Sequence, residues 1–202
     1  MKRPVIGILA LQGSVQEHRQ ALESVGSVEV LEVKTPSALA LADGLILPGG
    51  ESTTIAKLLC GFGLSDPLRE RILKGMPVWG TCAGMILLAK EIVGEPAHLN
   101  VMDVTVRRNA YGRQIDSFSC VQSISAFSRE PIPLVFIRAP WIEWAGEGVE
   151  VLCRVGGKIV AARQENMLAT SFHPELTDNL CVHRYFAEMT QRAAMGTSLI
   201  QS

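Results

Sequence analysis

Polar and apolar positions alternate poorly in the first half of the chain. Val5-Ile6-Gly7-Ile8-Leu9-Ala10-Leu11 is an unbroken apolar run, the pattern of a strand buried on both faces of a parallel sheet. Ser14 stands where a cap would open a helix running to about Val25, with Gly26 as its stop. Val28 to Val33 reads as a second strand, and Gly44 to Leu47 as a third that ends in Pro48-Gly49-Gly50. Helices are predicted from Ser52, and from Ser65-Asp66-Pro67 to a stop at Gly75. Pro77 to Gly80 is a fourth strand, and it runs straight into Thr81-Cys82-Ala83-Gly84 and an apolar helix, Met85 to Glu91. Strands alternating with helices imply an α/β fold with a mostly parallel open sheet flanked by helices.

The second half changes rhythm. Val101 to Arg107, Leu134 to Arg138, Val149 to Val155, Lys158 to Ala162 and Met167 to Phe172 are short strand candidates, with Gly156-Gly157 as a hairpin turn. They predict a small antiparallel set. A final helix is expected from about Asn179 to Ala194, with a frayed tail after it. With 202 residues the chain suits one domain, residues 1–195, and a C-terminal tail, 196–202.

Composition narrows the function. Hydrophobic residues make up 48% and charged residues 19%, which is globular. A net charge of -1 disfavours general attraction to nucleic acid or an anionic membrane. No apolar run has membrane-span length, and the apolar start is interrupted by Gln12, Ser14, Gln16 and Glu17, unlike a signal peptide, so a cytoplasmic location is expected. The five cysteines are scattered and form no CxxC pair, which disfavours a zinc ribbon or a dithiol redox site.

Three segments carry chemistry. Gly80-Thr81-Cys82-Ala83-Gly84 places a cysteine in a tight turn between a strand and a helix, the logic of a nucleophile elbow. The helix N-terminus favours an anionic sulfur. A structural cysteine is the alternative, but glycines on both sides argue for a crowded, strained turn. Phe172-His173-Pro174-Glu175 follows the last apolar strand and offers a base, His173, with an orienting acid, Glu175. Two residues apart on an extended segment, their side chains would leave from one side. The other histidines, His18, His98 and His183, lie in expected helices or a loop. The Pro48-Gly49-Gly50-Glu51-Ser52 turn could supply N–H groups to an oxyanion, or be an ordinary strand-to-helix turn. It lacks the Gly-Lys-Ser/Thr of a phosphate loop.

Taken together, these blocks resemble the class I (triad) glutamine amidotransferases. Leu11-Gln12-Gly13 with Glu17-His18, Pro48 to Thr54, Arg108-Asn109-Ala110-Tyr111-Gly112-Arg113-Gln114, Asp116-Ser117-Phe118 and Phe136-Ile137-Arg138-Ala139-Pro140 narrow the resemblance to the glutaminase subunits of pyridoxal 5'-phosphate synthase. It runs from about residue 4 to 190, with departures at Trp141 and Trp144, in a variable strand, and in the unmatched tail. It implies that Cys82 attacks the amide of glutamine, His173 handles the protons and Glu175 orients His173. It further implies an oxyanion hole at Gly50 and Ala83, and glutamine held by Gly50, Glu51, Ser52, Arg108, Ile137 and Arg138. No cofactor and no metal are expected. The implied partner is a barrel-shaped synthase subunit in a large hetero-oligomer, with Gln12 near the contact. Competing readings are an amidotransferase subunit of another pathway, a cysteine hydrolase of the same fold, and a binding module with a decayed site.

Overall fold

The computed structural model describes residues 3–108 and 117–200, with side chains to residue 196. Much of the Arg108 to Phe118 motif region, residues 109–116, therefore lies outside the described residues.

The parallel half forms from short strands, mostly apolar and mostly buried. These are β1 (Val5–Leu9), β2 (Glu29–Val33), β3 (Gly44–Leu47) and β4 (Val78–Thr81), joined much later by β12 (Met167–Thr170). Their order is β2-β1-β3-β4-β12, all parallel. Successive residues serve opposite faces. Leu45 and Leu47 of β3 join one core with Ile55 and Leu59, whereas Ile46 joins the other with Leu22 and Phe186. Helices α1 (Val15–Val25) and α6 (Cys181–Ile200) lie on that second face. Helices α2 (Pro36–Leu41), α3 (Ser52–Gly61), α4 (Ser65–Leu73) and α5 (Ala83–Leu88) lie on the first.

Beyond β12 the sheet turns antiparallel. It continues through β11 (Lys158–Gln164) to β9 (Trp141–Ala145) and β6 (Met102–Arg107), with β5 (Ala89–Ile92) parallel at the far edge. Strand β10 (Glu150–Val155) pairs with β11 through a turn in which Gly156 and Gly157 have φ of 57° and 79°. Both values are positive, as a tight primed hairpin turn requires. Strands β7 (Ser117–Gln122) and β8 (Ile132–Ile137) form a separate antiparallel pair. It covers the second core with Phe136, whose ring packs edge-on to Phe172.

The structure corrects the sequence reading at several ends. The helix expected from Met85 to Glu91 begins at Ala83 and stops at Leu88, because Ala89 to Ile92 turns extended and pairs with β6. Strands β5 and β7 were not anticipated, and α6 continues past Ala194. Ser14 stands at the helix start but makes no cap hydrogen bond. The cap of α3 is Glu51, whose carboxylate accepts from the Thr53 and Thr54 N–H groups.

Candidate active site

Parallel pairing of β4 with β12 brings two distant segments to one sheet end. Thr81 is in register with Thr170, and the Cys82 N–H donates to the Thr170 carbonyl at 2.8 Å. Cys82 therefore leaves the sheet beside the strand that leads to His173. Its backbone takes φ 49° and ψ -102°, a conformation an L-residue occupies only under strain. The surrounding packing enforces that elbow. A side chain at Gly84 would overlap the Leu47 carbonyl, and one at Gly80 would overlap the Gly84 backbone. The Sγ lies 4.0 Å from the Ile137 carbonyl oxygen, and Cys82 is 7% exposed. Ala83 opens α5, so its N–H sits in the first turn, where no intrahelical acceptor is available.

His173 is fixed from two sides. Its N–H donates to the Val135 carbonyl of β8 at 2.8 Å, and its Nδ1 lies 2.7 Å from Glu175 Oε1. The sequence reading placed the pair on an extended segment. Instead Pro174–Leu176 is a 3-10 turn, and that turn folds Glu175 back onto the imidazole. Gly49 packs against the ring so closely that a side chain there would strike it. Glu175 Oε1 also accepts from the Ser14 hydroxyl at 2.7 Å, which explains the missing helix cap.

The electrostatics suit a charged relay. Burial alone would depress His173, yet hydrogen bonds and charge from Cys82 and Glu175 push its pKa up to about 10. Burial alone would raise Glu175, yet His18, His173 and Ser14 hold it down at about 2. The site therefore favours an imidazolium between sulfur and carboxylate.

These groups open into a cleft of about 430 Å³, within the usual size of small-molecule sites. Gln12, Gly50, Glu51, Ser52, Cys82, Ala83, Arg108, Ile137, Arg138 and His173 all line it, so the structure gathers every candidate except Glu175, which stands behind His173. The Ser52 hydroxyl is buried there and has no protein partner. Arg108 reaches Glu51 at 3.0 Å, Glu95 at 2.6 Å and the Thr53 hydroxyl at 3.1 Å. Hydrogen bonds from Thr54 and Thr53 outweigh burial and hold Glu51 near 2, so this wall presents an ionised carboxylate beside a guanidinium. Such a pair suits the amino and carboxylate ends of an amino acid. Arg138 has φ 44°, a second strained residue on the cleft wall. Gln12 Oε1 accepts from the Glu51 N–H at 2.8 Å and lies against Gly50. A second cleft, about 350 Å³ around Pro77, Tyr185 and Met189, lies at the opposite end of β4 and contains no nucleophile.

Sequence reasoning missed Ser14 and His18. They are four apart, Ser14 at the residue before α1 and His18 within it, on one face, which was the available signal.

A cysteine on a strand-to-helix elbow, with a His-Glu pair from the neighbouring parallel strand, on an open sheet covered by helices, is the arrangement of a class I glutamine amidotransferase. Residues 8–192 match the SNO glutamine amidotransferase family, and the chain belongs to that family. It is 55% identical over 185 residues to pyridoxal 5'-phosphate synthase subunit PdxT of Ruminiclostridium cellulolyticum, covering 91% of this chain and 98% of that one. The like-named subunit of Nocardia farcinica is 53% identical over 199 residues, with 95% and 88% covered. A solved glutamine amidotransferase at 47% identity superposes with a TM-score of 0.87, covering 92% and 98%. Another, from Thermotoga maritima, is 14% identical with a TM-score of 0.60 over 95% and 86% of the two chains, and shares the fold. Among the described residues no helix is long and apolar enough to cross a membrane.

Proposed function

We propose that the chain releases ammonia from L-glutamine at Cys82 and delivers it for pyridoxal 5'-phosphate synthesis. The observation that carries this is the elbow cysteine and His173 lining one cleft, with Glu175 holding the imidazole from behind. Cys82 sulfur adds to the side-chain amide carbon, and N–H groups at Gly50 and Ala83 receive the oxyanion. The intermediate collapses as the C–N bond breaks. His173 gives its proton to the departing nitrogen, which leaves as ammonia, and a glutamyl thioester remains. His173, now neutral, takes a proton from water as the oxygen attacks the thioester carbon. The C–S bond breaks, and glutamate leaves from a restored sulfur. Glu175 keeps His173 turned to the sulfur throughout.

Glutamine lies against the Gly50-Glu51-Ser52 turn. Arg108 and Arg138 offer guanidinium groups to its carboxylate, Glu51 meets its ammonium and Ile137 closes the wall. The unpartnered Ser52 hydroxyl is available to the substrate. The relatives in Ruminiclostridium and Nocardia are synthase subunits, which supports a synthase partner here. That partner is a barrel enzyme in a large hetero-oligomer, with Gln12 near the contact. A cytoplasmic location suits five cysteines of which none is paired.

A glutamine analogue bearing an electrophilic carbon in place of the amide tests the site. It is expected to alkylate Cys82, located by peptide mass. Labelling of another cysteine, with Cys82 untouched, would overturn the assignment.

A further inference from the structure

Behind the triad runs a buried line of polar groups that the proposed chemistry does not use. His173 and Ser14 occupy Glu175 Oε1. Oε2 is buried without a hydrogen-bond partner. His18 Nε2 stands 3.6 Å from it and 3.2 Å from the Thr81 hydroxyl. His18 Nδ1 in turn stands 3.0 Å from His183 Nε2. Both rings are 0% exposed, and each packs edge-on against Trp79.

The partners dictate where the protons sit. His183 Nδ1 is buried with no partner. A stranded N–H there would forfeit its hydrogen bond altogether, so the His183 proton belongs on Nε2 and is donated to His18 Nδ1. His18 then carries its proton on Nε2, directed between the Thr81 hydroxyl and Glu175 Oε2. The reverse arrangement would aim a bare nitrogen at a carboxylate oxygen and leave His183 with the stranded N–H. Burial depresses both rings, with His183 held near 3, so both are neutral at neutral pH. The charged groups facing His18 are Glu175 and His173, with Glu17 on its own helix.

We propose that His18 is a positioning residue for the triad. Its neutral ring turns an N–H toward Glu175 Oε2, and this sets the carboxylate plane so that Oε1 faces His173. His183 fixes the tautomer of His18 from α6. The contact is long in the unliganded site, and catalytic contacts of this kind tighten in the substrate complex. The inference rests on the glutaminase reading of Cys82, His173 and Glu175.

The test is kcat and KM for glutamine across pH, with the synthase subunit present, for wild type, His18→Met, His18→Gln and His183→Met. Gln can return an N–H near the Nε2 position, whereas Met fills similar space without one. His18→Met is expected to lose about tenfold in kcat, less than an orienting triad acid would, with KM changed by less than about twofold. Its alkaline limb should move to lower pH, because the imidazolium loses a firmly held carboxylate. His18→Gln should recover most of the loss, and His183→Met should move the limb the same way. A His18→Met enzyme that matches wild type at every pH would overturn the proposal. So would equal losses in His18→Met and His18→Gln with an unmoved pH profile, the mark of packing alone. Should His18→Met not fold, an unmoved kcat and pH limb in His183→Met would overturn it. A wild type silent in every mixture would instead overturn the glutaminase reading beneath it.

Discussion

The hydroxyl of Ser14 and the carboxylate of Glu175 lie 161 positions apart in sequence and meet in a 2.7 Å hydrogen bond. Ser14 stands at a helix start yet caps nothing. The first turn of α1 thereby gives up its own cap and braces the acid of the triad. Ser14→Ala is expected to lower kcat several-fold and to lose stability of about 1.5–3 kcal/mol, the worth of a hydrogen bond to a charged group. Chemical unfolding and steady-state kinetics check both. Unchanged values in each would show that the contact is idle.

The elbow makes a sharper prediction about Cys82. Both Cys82→Ala and Cys82→Gly remove the sulfur and should release no ammonia. They should differ in stability, because φ 49° with ψ -102° strains any residue with a side chain. Glycine relieves that strain, so Cys82→Gly should be more stable than Cys82→Ala by about 1 kcal/mol. Equal unfolding midpoints would mean that the elbow is relaxed.

Gly49 sits against the His173 ring with the Cys82 Cβ 3.5 Å from where a side chain would begin. Gly49→Ala should push the imidazole out of line between sulfur and carboxylate. We expect kcat to fall by at least about a hundredfold, as for loss of general acid–base catalysis. Wild-type turnover would contradict this packing.

Acid should destabilise the fold through the buried groups. His18 and His183 are both depressed below 6.5, His183 to about 3. Between those values the unfolded chain binds protons that the folded chain refuses, so stability falls as pH falls. Glu175 acts in the same direction. Its contribution is present above 4.5 and is lost as pH drops toward about 2. His173 acts at the other end, because its contribution is full below 6.5 and is lost as pH rises toward about 10. His183→Gln should flatten the acid limb of an unfolding-midpoint profile. An identical slope in wild type and variant would refute the buried neutral ring.

The sequence made the parallel half legible because β1 and β3 are apolar on both faces, and because β3 and β4 run into glycine-bearing turns at Leu47 and Gly80. The bounds and pairing of strand β9 were hidden for a physical reason. Trp141 to Ala145 mixes polar and aromatic residues, and antiparallel pairing with β6 and β11 sets its extent. The end of α5 was hidden in the same way, since Ala89 to Ile92 is chosen by its neighbour β6 and not by its own propensity. At the site, Cys82 and His173 were readable from their strand ends. The supports were not. Ser14 resembled a cap and His18 an ordinary helical histidine, because their partners are supplied by contacts far along the chain.

The glutaminase reaction is tested most directly by ammonia release from glutamine by wild type and Cys82→Ala, each with and without a pyridoxal 5'-phosphate synthase subunit. Release is expected to depend on Cys82 and to rise when the synthase is present. Release that survives in Cys82→Ala, or none in any mixture, would contradict it.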